Sequence, residues 1–373
     1  MASIKTYLVC PDSFKGSVSA PDAAHAIALG IRDIDKDANV IELPIADGGE
    51  GTLEALVPEE RRIKTAVRAP DGTSMTGEYG YVEQTAVIEM AKVAGLPLMQ
   101  TYGMNAETAS TYAVGELIRD ALDRGFCNLL LTVGGSGTND GGSGMLEALG
   151  ARFYDSDNHL IPTPMSGGKL YNIAKIDLTD LDKRLYQTAI TFACDVTNPL
   201  VGPLGATMTY GKQKGATPEM LVRLERGMEH YADVLETLTG KPFRTVAGCG
   251  AGGGFPTPLV GLFDAKIRSG IASVLEVLAF DRHLQNTDLV ITGEGRIDGQ
   301  SAYGKAISGV ASAAKKLGVR VWALCGITGD GAEQMKDHGI ERIGEIRKIA
   351  TSDEESIKDA AHLLRRLTAS MLH

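Results

Sequence analysis

The sequence has few of the residue patterns that mark metal-binding, disulfide-bonded or membrane proteins. Its five cysteines contain no CxxC pair, and its seven histidines contain no HxH or HExxH spacing. These gaps argue against a disulfide framework, a structural zinc site and a zinc protease, and they favour a reducing compartment. No run of about 18 apolar residues is present, so we expect no membrane-spanning helix and no membrane partner.

Positive charge is also scarce. Lys and Arg number 37 against 47 Asp and Glu, which gives a formal net charge of -10 at pH 7. Nucleic-acid binding needs clustered cations that neutralise phosphates, so we expect no nucleic-acid partner. The segment before PDSFKGS, which begins at residue 11, is too short for a signal peptide, and we expect a cytoplasmic protein.

The familiar fingerprints of nucleotide-binding and esterase folds are missing as well. No loop carries the full GxxxxGK[ST] pattern of a P-loop, and no GxSxG elbow occurs. The glycine-rich segment at 248–254 lacks the GxGxxG frame of a dinucleotide site. A nicotinamide-dependent enzyme is therefore disfavoured. Glycine itself is abundant, with 45 residues, which indicates backbone that bends sharply or approaches a ligand closely.

What the sequence does contain is alternating strand and helix patterns at both ends of the chain. An apolar run over 4–10 precedes a helical pattern over 20–34, and similar units return towards the C-terminus. The region between has a different, turn-rich texture. We therefore predict an α/β fold with two α/β domains: residues 1–70 and 265–373 form a Rossmann-like parallel sheet, and a second α/β domain, residues 71–264, is inserted.

Polar or glycine-rich loops follow several predicted strands, where open α/β sheets bind their ligands. The loop at 11–17 offers Lys15, and the ADGGEGT segment at 46–52 offers Asp47 and Glu50. A lysine suits a phosphate or a carboxylate, and carboxylate oxygens suit Mg²⁺.

A longer glycine-rich loop, GGSGTNDGGSG, occupies 134–144 between a predicted strand and a helix. Its backbone amides could form a nest that holds an anion, and a tight structural turn is the alternative. The segment at 210–218 adds Lys212 and Lys214 before a helix, where one lysine could reach a phosphate and the other could only face solvent.

Two further segments carry acids that suit catalysis or binding. Asp195 directly follows an apolar strand, where a carboxylate can accept a proton from a hydroxyl; a turn-forming aspartate is the alternative. A strand is predicted over 289–292, and the segment after it, up to residue 305, concentrates Glu294, Arg296 and Asp298. Its arginine could bind a carboxylate through two hydrogen bonds. The alternative is a surface loop held by salt bridges that binds no ligand.

Taken together, these motifs closely resemble, in order and spacing, those of the bacterial-type (type I) glycerate kinase family. The resemblance spans nearly the whole chain and implies phosphorylation of D-glycerate by ATP with Mg²⁺, mostly on the 2-hydroxyl, in two α/β domains with the active site in the cleft between them. So many motifs in a fixed order are far more specific than any one of them. The motifs are PDSFKGS, ADGGEGT, VGGSGTNDGGSGML, CDVTNPL, YGKQKGATPEM and ITGEGRIDGQS.

The resemblance implies positions for the site, and we assign the individual roles as hypotheses. The catalytic set is Asp195 as general base, Lys15 and Asp298. The substrate-binding set is Ser13, Arg296, Glu294 and Asp47. The phosphate- or nucleotide-binding set is Gly134, Gly135, Ser136, Thr138, Asn139, Asp140, Lys214 and Lys305. The Mg²⁺ set is Asp47 and Glu50.

The sequence departs from the family pattern at two places, and several alternative functions stay open. The segment after residue 254 reads FPTPLVGLF where small residues are commoner, and Tyr303 stands where histidine is commoner. The alternative functions are a kinase that forms 3-phosphoglycerate, a hydroxy-acid oxidoreductase and a metabolite-binding sensor. The sequence leaves open the hydroxyl that is phosphorylated, the tolerance for related hydroxy acids, regulation and the oligomeric state, for which a homodimer is the assembly considered.

Overall fold

The structure is a computed structural model that describes residues 4–302 and 305–373. The strands in this part of the chain are β1 Thr6–Pro11, β2 Asn39–Glu42, β3 Arg62–Arg68, β4 Ser74–Val82, β5 Thr85–Glu89, β6 Asn128–Thr132, β7 Arg152–Tyr154, β8 Lys175–Asp177, β9 Ala189–Ala193, β10 Lys266–Arg268, β11 Leu289–Ile297, β12 Arg320–Thr328 and β13 Ile340–Glu345. The α-helices are α1 Ala20–Ile34, α2 Thr52–Leu56, α3 Ala91–Ala94, α4 Leu96–Thr101, α5 Tyr112–Asp123, α6 Ser143–Ala148, α7 Ala206–Tyr210, α8 Pro218–Thr239, α9 Ala251–Gly254, α10 Thr257–Phe263, α11 Gly270–Val277, α12 Phe280–Leu284, α13 Ala306–Lys316, α14 Asp353–Lys358 and α15 Ala360–Leu372. Short 3-10 helices lie at Glu59–Arg61, Gly167–Asn172, Lys183–Gln187, Gly299–Ala302, Ala332–Lys336 and Ile346–Lys348.

The chain divides into two compact units. Unit 1 contains the chain up to Asp47, Glu54–Pro58 and the chain from Ser269 onwards, and unit 2 contains Gly48–Leu53 and Glu59–Arg268. The boundaries expected at residues 70 and 264 stay a prediction. No helix in the described ranges is long and apolar enough to cross a bilayer.

Unit 1 is built on a five-stranded sheet whose strand order is β13-β12-β11-β1-β2. Every neighbouring pair in it is parallel. The predicted parallel sheet made from both ends of the chain is therefore confirmed. After β1 the chain proceeds to β2 on one side, whereas β11 leads to β12 and β13 on the other, so the strand order reverses between β1 and β11. Open α/β sheets bind ligands at such a switch point, outside the carboxyl ends of the strands.

Local signals explain why α1 begins and packs where it does. The Ser19 hydroxyl caps the helix by accepting from the Asp22 backbone N–H at 3.2 Å, and Pro21 lies in the first turn. Ile27 and Ile31 recur at helical spacing and are fully buried in a core shared with residues of α15. The helix predicted over 20–34 is confirmed with these bounds.

Unit 2 contains a mixed six-stranded sheet in the order β10-β9-β6-β5-β4-β3. The strands β5, β6, β9 and β10 are parallel, and β3 and β4 add an antiparallel edge. The long helix α8 begins after the Thr217 cap and ends at Gly240, whose φ of 68° is the left-handed conformation that glycine adopts readily. Parallel strands with connecting helices in both units confirm the α/β class.

One strand differs from its sequence-based prediction in a way that matters for the site. We expected a strand over 289–292 followed by a loop, but β11 continues to Ile297. The reason is non-local: β11 keeps pairing with β12 at Arg296 opposite Ile327 and at Ile297 opposite Thr328. Glu294 and Arg296 are therefore held by the sheet rather than by a loop.

Candidate functional site

The carboxyl ends of β1 and β11 meet at one edge of the unit 1 sheet. Asp12 follows β1, and its backbone N–H donates to the Gly293 carbonyl at 2.8 Å, one residue before Glu294. The chain after β2 continues beside β1, because the Ile45 N–H donates to the Pro11 carbonyl at 3.0 Å, and Asp47 lies two residues further on. Carboxylates from three distant segments are thereby brought to one sheet edge.

The neighbouring carboxylates influence the protonation of Asp12. Burial raises the pKa of Asp12 to about 7, and the charges of Asp47 and Glu294 add to that rise. The Ser13 N–H, 2.5 Å from Asp12 Oδ1, and the Lys15 ammonium act in the opposite direction. Asp12 was not among our predicted site residues; the signal in the sequence was only its place at the end of an apolar strand.

Glu294 is the buried member of this edge. The Ser301 hydroxyl donates to its Oε1 at 2.5 Å, and burial raises the pKa of Glu294. The Lys305 ammonium lowers that pKa, whereas the charges of Asp298 and Asp47 raise it. Lys305 is the residue directly before α13, and its effect on Glu294 places a cation at the same edge as the acids.

Arg296 and Asp298 form an ion pair at the end of β11. The Nε of Arg296 lies 3.0 Å from Asp298 Oδ2, and the arginine side chain is 62% exposed. The Gln300 N–H donates to Asp298 at 2.9 Å and is the largest cause of a lowered pKa for this carboxyl, so Asp298 stays ionised. The exposed face of the guanidinium keeps donors for a planar carboxylate. Tyr303 lies outside the described residues.

Lys15 belongs to a tight turn after β1. The Phe14 N–H donates to the Val18 carbonyl at 2.9 Å, and the Phe14 ring is buried. Gly16 follows in a left-handed conformation with φ of 76°. The buried ring anchors the turn, and Lys15 remains exposed.

In unit 2, two glycine-rich segments contact each other. A Cβ added at Gly134 would lie 2.8 Å from the Cα of Gly49, closer than real Cβ contacts allow. At Gly135 an added Cβ would lie 3.8 Å from Oε2 of Glu50. Glu50 therefore has its carboxylate beside the glycine-rich loop.

Glu89 anchors the first of these segments. This buried carboxylate, the last residue of β5, accepts hydrogen bonds from the backbone N–H of Gly51 at 3.0 Å and of Leu53 at 2.9 Å. It thereby holds the start of α2. Glu89 was not among our predicted site residues, and its position at the end of a buried strand was the available signal.

The loop at 134–144 has an outer part and an inner part. Gly134, Gly135 and Ser136 are partly or fully exposed, whereas the TND segment at 138–140 is buried. Asp140 accepts from the backbone N–H and hydroxyl of Thr111, both at 2.8 Å.

Two more contacts hold this inner part. Asn139 donates to the Thr207 hydroxyl at 3.1 Å, and the Lys214 ammonium donates to the Thr138 carbonyl at 2.6 Å. Burial lowers the pKa of Lys214 to about 7, and the nearby Asp140 carboxylate acts against that change. The inner residues thus face the interior of unit 2, and their assignment to nucleotide binding stays a prediction.

Asp195 lies at the same sheet edge as the outer part of that loop. The strands β6 and β9 are adjacent and parallel, with Thr132 opposite Ala193, so the chain leaves both strands at one end of the sheet. Asp195 is exposed, and its loop is fastened by Asn198, which donates to the Leu204 carbonyl at 2.8 Å.

The sequence-predicted residues thus divide between the two units. In unit 1 they are Ser13, Lys15, Asp47, Glu294, Arg296, Asp298 and Lys305, and in unit 2 they are Glu50, Gly134, Gly135, Ser136, Thr138, Asn139, Asp140, Asp195 and Lys214. Within residues 4–302 and 305–373, no three His, Cys, Asp or Glu side chains are arranged to hold a metal ion.

Known proteins resemble this chain along almost its whole length. The model of the glycerate kinase family matches residues 7–373. The chain is 41% identical over 368 residues to a glycerate kinase of Halalkalibacterium halodurans, covering 97% of this chain and 96% of that one. It is 40% identical to glycerate 2-kinase of Escherichia coli, covering 93% and 92% respectively. A crystal structure assigned as glycerate kinase 2 of Salmonella typhimurium superimposes with a TM-score of 0.87 at 38% identity, covering 99% of this chain and 97% of that one.

Proposed function

Because the chain belongs to the glycerate kinase family and phosphorylates glycerate, we propose that it transfers the γ-phosphoryl group of ATP to the 2-hydroxyl of D-glycerate. The products are 2-phosphoglycerate and ADP. The choice of hydroxyl is supported by the Escherichia coli relative, which is named a glycerate 2-kinase.

The observation that carries this proposal is the cluster of charged groups at the switch point of the unit 1 sheet. Asp12, Asp47 and Glu294 provide acceptors for substrate hydroxyls, and Lys15 and Lys305 provide positive charge nearby. A small hydroxy acid with its phosphate donor needs both kinds of group. A hydroxy-acid oxidoreductase would instead need a dinucleotide fingerprint, which the sequence lacks.

In unit 1 the roles follow from exposure and pairing. Arg296 holds the glycerate carboxylate through its exposed donors while Asp298 fixes its orientation. Ser13, Asp47 and Glu294 bind the glycerate hydroxyls. Lys15 and Lys305 neutralise charge on the transferred phosphoryl group.

In unit 2 the outer part of the glycine-rich loop, Gly134, Gly135 and Ser136, receives the ATP phosphates. Its glycines let the backbone approach an anion closely, and its position after β6 is where parallel sheets bind ligands. Thr138, Asn139 and Asp140 support this loop from the buried side.

The chemical step is a displacement at the γ-phosphorus. The glycerate 2-hydroxyl oxygen forms a bond to phosphorus, the bond between phosphorus and the β,γ-bridging oxygen breaks, and ADP leaves with that electron pair. The hydroxyl proton passes to the Asp195 carboxylate, which acts as general base.

Magnesium fits this site only in combination with the nucleotide. Three protein ligands are not gathered in the described residues, and Mg²⁺ commonly uses one or two carboxylates together with substrate phosphates. Asp47 and Glu50 stay the predicted ligands that would hold the ion, and Glu50 has its carboxylate beside Gly135. When bound, Mg²⁺ neutralises charge on the phosphates.

A coupled ADP-release assay with ATP, Mg²⁺ and D-glycerate tests the function, with the phosphoglycerate isomers resolved by NMR. We expect glycerate-dependent ADP release and 2-phosphoglycerate as product. Formation of 3-phosphoglycerate would contradict the proposed choice of hydroxyl. ADP release that does not depend on glycerate would contradict the assignment of glycerate as the substrate. The cytoplasmic location, the lack of a nucleic-acid partner and the homodimer stay predictions from the sequence.

A further inference from the structure

A buried lysine lies beneath the glycine-rich loop of unit 2. The Lys214 side chain belongs to a residue that is only 3% exposed, and its ammonium donates to the Thr138 carbonyl at 2.6 Å. Thr138 follows the outer part of the loop by two residues. A charge this deeply buried is costly unless it is paired and hydrogen-bonded, so its presence needs a reason.

Asp140 provides the opposite charge. It is fully buried, and its carboxylate attracts the Lys214 ammonium. The same carboxylate accepts hydrogen bonds from Thr111 and from the Gly142 backbone N–H at 3.2 Å. Lys214 therefore holds the loop from outside at the Thr138 carbonyl, and Asp140 closes the turn at 140–142 and ties it to Thr111.

The lysine itself is held on a fixed segment. Its backbone N–H donates to the Gly211 carbonyl at 3.1 Å, and its carbonyl accepts from the Ala106 N–H at 2.8 Å. The Ala216 N–H closes the same turn on Gly211 at 3.0 Å. The ammonium thus projects from a rigid support that is distant in sequence from the loop.

The outer part of the loop is fixed at its other points by backbone hydrogen bonds. The Gly135 carbonyl accepts from the Leu96 N–H at 2.8 Å, and the Gly137 N–H donates to the Ala94 carbonyl at 2.8 Å. The Thr138 carbonyl comes next along the chain, and Lys214 holds it. Removing the side-chain amine would leave the Thr138 carbonyl without this donor, while the hydrogen bonds of Gly135, Gly137 and Asn139 stay in place.

We propose that Lys214 is a positioning residue of the ATP site, which acts through the Thr138 carbonyl to hold Gly134, Gly135 and Ser136 in the conformation that receives the phosphates. The inference rests on the proposed function, in which this loop binds ATP. The sequence-based assignment had Lys214 contact the nucleotide directly. In the role proposed here, Lys214 instead acts on the loop from its buried side. A preorganised anion site loses affinity when its backbone gains freedom.

The test compares Lys214→Met with the matched control Lys212→Met. Lys212 lies on the same segment but is exposed, so the same substitution there removes a lysine side chain of the same size without touching the loop. We expect the Kd of Mg-ATP from calorimetry, and the KM for ATP, to rise about tenfold or more in Lys214→Met, as for a buried carbonyl left without its hydrogen bond. The KM for glycerate should stay within about twofold of the wild-type value, and Lys212→Met should match wild type throughout.

A general loss of structure would raise the KM for both ATP and glycerate and would lower the stability of the protein. A rise in the KM for ATP alone therefore indicates loss of positioning and not a folding defect. Lys214→Ala with added ethylammonium provides a second measurement, because a small cation can enter the cavity and restore ATP affinity. Unchanged ATP affinity in Lys214→Met, or an equal loss for ATP and glycerate with no rescue in Lys214→Ala, would overturn the inference. If wild type bound ATP without phosphorylating glycerate, the proposed function would fail while the ATP affinities still decided the role of Lys214.

Discussion

Two carboxylates illustrate what single residues contribute to the proposed reaction. Asp12 is held at the buried switch point of unit 1, where burial and two neighbouring acids raise its pKa to about 7. Asp195 is exposed at the end of β9. A general base works best when it is ionised at the operating pH and within reach of the hydroxyl. The proposed role of Asp195 as the base therefore rests on its place at this sheet edge, two residues after β9.

Replacing Asp195 by Asn tests this role directly. The amide keeps the size of the side chain but cannot accept the proton, so we expect kcat to fall about 100-fold or more while the KM for ATP changes little. The matched control is Asp157→Asn, another exposed aspartate of unit 2, which should keep wild-type kinetics. Steady-state ADP release measures both variants. Near-normal turnover of Asp195→Asn would show that another group takes the proton.

The buried lysine also predicts how stability depends on pH. Folding lowers the pKa of Lys214 from 10.5 to about 7, so between these values the unfolded state keeps a proton that the folded state has lost. The free energy of unfolding should therefore rise with pH in this window, by up to about 1.4 kcal/mol per pH unit.

The measurement is urea unfolding of wild type and Lys214→Met at several values between about pH 6 and about pH 9. The difference in unfolding free energy between the two proteins should grow in favour of wild type as pH rises above about 7. Lys212→Met should follow the wild-type curve, because Lys212 is exposed in the folded state. A constant difference across the range would mean that Lys214 stays protonated when folded.

At the scale of elements, the contact between the two glycine-rich segments of unit 2 limits what residue 134 can be. A methyl group in Gly134→Ala would lie 2.8 Å from the Cα of Gly49. Because that atom belongs to the backbone and cannot rotate away, the two segments must separate. We expect a loss of stability of about 1–3 kcal/mol and a raised KM for ATP. The control is Gly227→Ala in α8, where the nearest atoms lie at ordinary contact distance, 3.4 Å or more. Calorimetric unfolding and ADP release measure both; equal behaviour of the two variants would contradict the packing argument.

Elements with local signals could be predicted closely from the sequence. The bounds of α1 follow from a capping serine, an early proline and an apolar stripe, all within the helix or beside it. The length of β11 could not be predicted, because its glycines and charges at 293–296 have the composition of a loop. Its continuation depends on pairing with β12, which no local pattern encodes.

The same distinction applies to the site. Motif order identified the loops that carry functional groups, since a loop after a strand is visible in the sequence. Burial within a loop is not visible, because the partners of Asp140 and Lys214, namely Thr111 and Thr138, lie far from them along the chain. Glu89 was missed for the same reason: its role is to accept hydrogen bonds from backbone groups that precede it by dozens of residues.

At the scale of the whole molecule, the sheet of unit 1 requires both ends of the chain. Its central strands β1 and β11 are neighbours in space although most of the sequence separates them, and each contributes an acid to the same edge. Unit 2 is nearly continuous in sequence and has its own extensive core, which includes Tyr79, Phe192 and Tyr231. A compact unit with its own core can fold alone, whereas a unit made of distant segments depends on the complete chain.

We therefore expect the fragment 48–268 to fold by itself and to unfold cooperatively in urea. The shorter fragment 71–264, cut at the boundaries expected from the sequence, lacks β3, β10 and Gly48–Leu53. Without β3 the long strand β4 becomes an exposed edge and the buried Val67 is lost from the core, so this fragment should be less stable and prone to aggregate. Circular dichroism, urea midpoints and light scattering compare the two. Equal midpoints with no aggregation would show that the antiparallel edge is dispensable and would favour the boundaries at 70 and 264.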